Sequence, residues 1–401
     1  MSESNPNPTA PRVITIKESR LTLPDLLDDL LWPKLFRAAP LALQPGRIGL
    51  ALFTLAVAGL IGIANTWWSD APSFFELIAA TLNAPPVRAP GAIPNPITDA
   101  LARAGHLVTE HPLALLFQGV PILAALAIGT AAIARMVAVE FSAGVTMSWT
   151  EALGFVLSRW PSALGAAFGA PLLIGLITLA LAALGFIFLQ LPGLDILGAI
   201  GFIVVLLLAL LGAALTLGLL LGHSMLVPAL ACEGTDAIDA LQRVYAYVLA
   251  KPGRLVAYSL VLGAILAVTA GATLAIAGAT DFLARNATGA WLGDTASTIL
   301  HPHAIDASAE PPAATRSIAS RIINVWLGLV WMIAVSSIFA TYVSGSTILY
   351  LIMRQACDGQ DWGELWFPEH AAAGRDELSP NTNMDRSARA ISASARSETT
   401  E

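Results

Sequence analysis

Residues 196–225 read ILGAIGFIVVLLLALLGAALTLGLLLGHSM, thirty consecutive positions without Asp, Glu, Lys or Arg. A helix needs about 20 apolar residues to cross the hydrocarbon core of a bilayer, so this stretch is long enough to span with residues to spare. Immediately upstream, 163–190 is equally apolar, and only the turn around Leu191-Pro192-Gly193 separates the two. So short a connection forces an antiparallel hairpin. Further out, four more stretches qualify, at about 48–68, 113–134, 255–280 and 322–352. Backbone groups must find partners within the segment in lipid, and runs rich in Leu, Ala and Ile favour helices over barrel strands. The expected fold is all-α, a polytopic transmembrane helical bundle of about six spans.

Composition agrees. Hydrophobic residues make up 56% of the 401 and charged residues 12%, whereas a soluble domain carries about 25% charged residues. The net charge of −7 resides in tails and loops, and nothing in it points to nucleic acid. The polar first 20 residues and a first apolar run beginning near Ile48 do not fit a cleaved signal peptide. Insertion through the first span is expected instead.

Orientation follows from where Lys and Arg fall. With the amino terminus in the cytoplasm, that side holds sixteen of the 21, including Arg135, Arg159, Arg243, Lys251, Arg254 and Arg354. The opposite side holds Arg88, Arg103, Arg285, Arg316 and Arg321. Both termini are predicted cytoplasmic, in the inner (plasma) membrane of the cell. Residues 1–47 form a cytoplasmic arm, 48–367 the six-span domain, and 368–401 a polar tail expected to be disordered. In the arm, Thr22 and Pro24 can start a short helix that gathers Leu26, Leu27, Leu30 and Leu31 on one face and ends at Pro33. An interfacial helix and a helix packed on the bundle fit it equally. In the outer loop 69–112, Phe74, Phe75, Leu77 and Ile78 suggest one short helix. Asn95-Pro96 can start another carrying Ile97, Leu101 and Leu107. The outer loop 286–317 is expected to hold less structure.

Three places mark the passage from apolar run to polar segment. Ala231-Cys232-Glu233-Gly234-Thr235-Asp236 returns as Ala356-Cys357-Asp358-Gly359-Gln360-Asp361, and Met136-Val137-Ala138-Val139-Glu140 again sets an acid at the end of a run. After Glu140, Ser148-Trp149-Thr150-Glu151-Ala152-Leu153 has capping-box spacing. After Glu233, Asp236-Ala237-Ile238-Asp239-Ala240-Leu241 opens a helix whose Leu241, Val244, Tyr245, Val248 and Leu249 form an apolar stripe. That stripe fits the membrane interface, with Arg243, Lys251 and Arg254 at lipid phosphates, or the bundle itself. Span, junction, amphipathic helix and span thus occur twice in the same orientation, as in a parallel internal repeat.

The stretch Leu226-Val227-Pro228-Ala229-Leu230-Ala231-Cys232-Glu233-Gly234, followed by Ala240-Leu241-Gln242-Arg243, resembles a group of bacterial and archaeal membrane proteins. That group includes the membrane domain found beside some glycerophosphodiester phosphodiesterases. The resemblance implies architecture; no phosphodiesterase catalytic domain accompanies it in this chain.

No catalytic, cofactor or metal site emerges from the residues. Cys232 and Cys357, the only cysteines, lack histidine neighbours for zinc. Both are expected to be reduced and labelled only after permeabilisation. His301-Pro302-His303 with Asp306 has metal-binding atoms in a poor setting, and His106 and His111 have no partner motif. His223 reads as a hydrogen-bonded interfacial histidine rather than a headgroup ligand. Glu140, Glu233, Asp236, Asp239, Asp358 and Asp361 fit helix capping more simply than a divalent-cation site. Gly165 with Gly169, and Gly218 with Gly222, permit close helix contacts within the bundle. Asn286-Ala287-Thr288 matches a glycosylation acceptor. The span centres carry no charge, which argues against ion-coupled transport. The leading expectation is a non-enzymatic scaffold, or a protein that binds membrane lipids and protein partners at its cytoplasmic face. The alternative is a permease-like carrier of a neutral or lipidic substrate, its cavity lined by Gln118, Gln190, Asn324, Ser336 and Ser337.

Overall fold

The structure is a computed structural model that describes residues 31–67, 72–84, 96–190, 194–291, 300, 314–362 and 365. Among these there are helices and turns but no strand. A 3-10 turn Trp32–Arg37 runs into α1 (Ala38–Ala42) and then α2 (Pro45–Ile63). Two short helices follow, α3 (Phe74–Asn83) and α4 (Pro96–Glu110). Next come α5 (Pro112–Ala143), α6 (Trp149–Leu157) and α7 (Trp160–Leu189). After α8 (Asp195–Ile200), the chain forms α9 (Phe202–Glu233), α10 (Ala237–Ala250), α11 (Pro252–Gly289) and α12 (Ala314–Asp358). Six of these, α2, α5, α7, α9, α11 and α12, are long and apolar enough to cross a membrane.

The spanning helices exceed the expected bounds at most ends. α9 has 32 residues, roughly 48 Å at 1.5 Å per residue, against a hydrocarbon core of about 30 Å. α11 continues to Gly289 and α12 starts at Ala314, so Asn286-Ala287-Thr288 lies on a helix rather than in a loop. The expected helix at 22–30, the turn at 191–193, the histidines of 301–303 and the tail from 368 lie outside the described residues. Pro33 occupies the first turn of Trp32–Arg37, where its missing N–H has no partner to lose.

α5, α9 and α12 end at one pole of the bundle, and α2, α7 and α11 begin there. Each of the three incoming helices closes on a left-handed glycine: Gly144 (φ 69°), Gly234 (φ 61°) and Gly359 (φ 69°). Their N–H groups donate to Glu140, Leu230 and Gln355 carbonyls. A side chain with Cβ is strained at such φ values, so glycine is the residue the cap requires. At the start of α6 the capping box forms as expected, Ser148 Oγ accepting from Glu151 N and the Glu151 carboxylate accepting from Ser148 N. Ser73 and Glu76 build the same device at α3.

The main core also lies at this junction pole. It collects Leu35 and Leu41 from the arm, Ile133 and Val137 from α5, Leu230 from α9, and Ile348 and Leu351 from α12. α12 is the central helix, touching α1, α2, α5, α9 and α11. Its small side chains permit this, since a Cβ on Gly345 would sit 2.1 Å from Leu262 of α11. The other halves of α7 and α9 face outward with Leu179, Phe186, Ile203 and Leu210 exposed, as a lipid-facing hairpin requires.

α10 packs on the bundle instead of lying free along the interface. Val244 and Val248 are buried, but Leu249 is exposed and Tyr247, outside the expected stripe, is buried. Gly218 and Gly222 of α9 receive this helix, since a Cβ at Gly218 would meet Tyr245 at 2.3 Å and one at Gly222 would meet Val244 at 2.7 Å. Gly165 similarly meets Ala237, while Gly169 faces open space.

Candidate functional site

Three arginines, each about 1% exposed, sit at the junction pole: Arg47, Arg135 and Arg354. Arg47 lies in the first turn of α2, Arg354 one turn before the end of α12, and Arg135 about two turns before the end of α5. Arg47, in the first turn of α2, pairs with Glu140 of α5 at 2.7 Å, donates to Met136 O at 3.1 Å, and bonds Leu41 O. Gln44 Nε2 donates to the other oxygen of Glu140 at 2.5 Å. Arg354 of α12 pairs with Glu233 of α9 at 2.8 Å and donates to Asp361 O at 2.8 Å. Glu233 also accepts from Tyr350 at 3.0 Å and lies 3.4 Å from Arg243 of α10. Arg135 donates to Ala231 O at 3.0 Å, with its guanidinium 4.5 Å from the Phe155 ring centroid. Arg159 bonds Gly234 O and Lys251 bonds Ala356 O. Buried charges persist only when paired and hydrogen-bonded, and here cationic side chains tie α2, α10 and α12, and the segments entering α7 and α11, to the ends of α5, α9 and α12.

Glu140, Glu233 and Asp358 are therefore held by cations, the Gln44 amide and two phenols, not by each other. Asp358 accepts from Tyr247, and Asp236 caps α10 without a side-chain bond. Among the described residues no group of three or more His, Cys, Asp or Glu could hold a metal ion. On α10, burial first and then the Asp358 contact push the Tyr247 phenol well above its ordinary value, and burial alone raises Tyr245. For Arg243, burial lowers the value, but Glu233, Tyr350 and Tyr247 together outweigh it and the net shift is upward. Cys232 is fully buried and Cys357 half-buried, so only Cys357 serves as a labelling site.

Beneath this layer lies a half-open cleft of about 860 Å³ between α5, α7, α9 and α12. Its lining is mostly apolar, with Leu126, Leu219 and Val227 typical, and none of the lining residues is Asp, Glu, Lys or Arg. Polar atoms come from Thr130, Thr216, His223, Ser224, Tyr342 and Ser346. His223 stands ten residues before the end of α9, about 15 Å along the helix. Its Nδ1 lies 3.0 Å from Leu220 O. On α12, Tyr342, Ser346, Tyr350 and Arg354 recur at every fourth position, so one stripe runs from the cleft to the junction layer.

The polar lining expected from sequence does not assemble. Gln118 is buried between α2 and α5 and contacts Ile61 O at 3.4 Å. Gln190 is exposed at the end of α7. Asn324 accepts from Arg285 at 3.3 Å. Ser336 and Ser337 donate to Met332 O and Ile333 O of their own helix, and Ser337 borders only a smaller cavity of about 240 Å³ between α11 and α12. His106 pairs with Glu110 at 3.2 Å on the exposed face of α4, and His111 precedes α5. Comparison with protein-family models, with curated proteins and with solved structures finds no match to this chain.

Proposed function

We propose that this chain is a non-enzymatic integral membrane protein that binds membrane lipid in the cleft between α5, α7, α9 and α12. The observation that carries the reading is the chemistry of that cleft. Ligand sites are concave, mostly apolar and carry a few placed polar groups, with volumes of about 300–1,000 Å³. At about 860 Å³ and without a charged lining residue, the cleft suits an acyl chain better than a hydrated ion or sugar. We further propose that the junction pole serves as a rigid platform for protein partners, a reading supported by the buried arginines that cross-tie its helix ends. In this reading the two span, cap, short helix and span units are parallel repeats. The junction pole faces the cytoplasm, consistent with its excess of Lys and Arg.

The protein purified with its native lipids, followed by mass spectrometry of bound molecules, tests the proposal. A stoichiometric lipid is expected, and Ala167→Phe, which fills the cleft, removes it. Leu179→Trp on the exposed face of α7 leaves it in place. Loss of no lipid in Ala167→Phe, or none bound to begin with, overturns the reading. Orientation is tested separately, since an impermeant thiol reagent is expected to reach Cys357 only after cells are permeabilised.

A further inference from the structure

We infer that the ligand of this cleft is a long-chain neutral lipid carrying a free hydroxyl, which donates its proton to Nε2 of His223. The inference rests on the lipid-binding reading above and names the chemical class. A backbone carbonyl can only accept a hydrogen bond. The 3.0 Å contact from His223 Nδ1 to Leu220 O therefore places the proton on Nδ1. In the neutral ring Nε2 is then an acceptor, and His223 is an exposed side chain on the cleft wall. Thr216, two turns earlier on the same wall, gives its own proton to Gly212 O at 2.8 Å. What it offers the cleft is likewise a lone pair.

The remaining polar groups of the lining, Thr130, Ser224, Tyr342 and Ser346, are hydroxyls that donate as well as accept, so the ligand group that suits this wall is a neutral one that can do both. Ammonium groups donate, but no lining side chain is an anion to offset their charge, and an uncompensated charge in an apolar site is costly. A carboxylate or phosphate would bring a full charge that no cation of the lining offsets, since Arg47, Arg354 and Arg135 face Glu140, Glu233 and Ala231 O at the junction pole. A neutral hydroxyl meets both conditions. The apolar chain behind it lies against Leu126, Leu219 and Val227, and the open side of the cleft lets it continue into the bilayer.

Three photoactivatable probes of one chain length separate the possibilities: a diazirine-bearing C16 alcohol, its methyl ether and the matched carboxylic acid, each at equal mole fraction in phosphatidylcholine nanodiscs holding the full chain. Peptide mass spectrometry then locates the label. The alcohol is expected to label the segments around 219–227 and 342–346 about fivefold more than the ether, the effect of one hydrogen bond in such a site. His223→Leu is expected to bring the two to parity while both still label, and His223→Gln, which keeps an acceptor oxygen, to retain part of the preference. Equal labelling of the natural chain by alcohol and ether overturns the hydroxyl assignment and leaves the cleft as a lipid site. Stronger labelling by the acid also overturns it, since His223 would then be donating. No labelling of these segments by any probe removes the lipid-binding reading as well.

Discussion

The two poles of this bundle solve the membrane problem in opposite ways. At the junction pole the helices converge, and their ends are locked by caps, carbonyl bonds and ion pairs between helices distant in sequence. Glu140 and Arg47 are 93 positions apart, Glu233 and Arg354 121 apart. In the opposite half, α7 with α9 and α11 with α12 run mainly as hairpins with apolar side chains facing outward. There, polar ties are fewer among the described residues. Arg285 of α11 pairs with Asp281 at 2.9 Å and reaches Asn324 of α12, with both ion-pair side chains about one-quarter exposed. The contrast assigns stability to one pole and lipid contact to the other, and the cleft lies where the two regimes meet.

The contrast breaks most sharply at Glu233. Glu233→Ala takes from Arg354, about 1% exposed, its carboxylate partner, and leaves Tyr350 without its acceptor. A loss of about 3–5 kcal/mol is expected on removing one partner of a buried pair, read as thermal unfolding in detergent. Glu140→Ala is expected near the lower end, about 3 kcal/mol, since Arg47 keeps its bonds to Leu41 O and Met136 O. Gly218→Val drives a side chain into Tyr245 and is expected to cost about 1–3 kcal/mol by overpacking, with α10 detaching first in hydrogen exchange.

Tyr247→Phe removes one hydrogen bond to Asp358, about 1 kcal/mol near neutral pH. Its effect depends on pH. With its phenol raised in the folded chain, Tyr247 holds its proton longer when folded than when unfolded. Its contribution is therefore complete below the ordinary phenol value of about 10 and is lost as pH rises beyond it. Stability of the variant is expected to fall less steeply in that alkaline range than that of the natural chain. The smallest effect is expected at the opposite pole, where Arg285→Ala should cost no more than about 1 kcal/mol, as for other partly exposed pairs. A larger loss there than at Glu140 would abolish the distinction between the poles.

Much of the fold was legible because lipid imposes it. Thirty uncharged positions at 196–225 leave few readings other than a spanning helix. The capping box at Ser148 and Glu151 was equally plain, because its geometry is local. The junction layer was not. Hydropathy places Arg47, Arg135 and Arg354 at span ends, where arginine ordinarily reaches toward water. Whether each does so or turns inward depends on a helix 90 or more positions away. A hint existed in Arg135 and Arg354, each flanked by an unbroken apolar run and followed within five residues by an acid.

The cleft was still less legible. Gln118, Asn324 and Ser336 were chosen by polarity, yet which side chains meet in a cavity is set by the rotation of four helices about their own axes. Small hydroxyls such as those of Ser336, Ser337, Thr341 and Thr347 satisfy themselves on the preceding turn of α12. Such residues pack a helix closely and leave the main cleft to others. His223, which the pattern alone assigned to the interface, owes its place on the cleft wall to that rotation.

The most direct measurement is an experimental density map of the protein in lipid nanodiscs, at a resolution that shows acyl chains. The account predicts elongated density between α5 and α9 with its polar end at His223, below an ordered Arg354–Glu233 pair. Helices α5, α7, α9 and α12 closed upon one another with no room for a chain, or a water-filled passage in the same place, would contradict it.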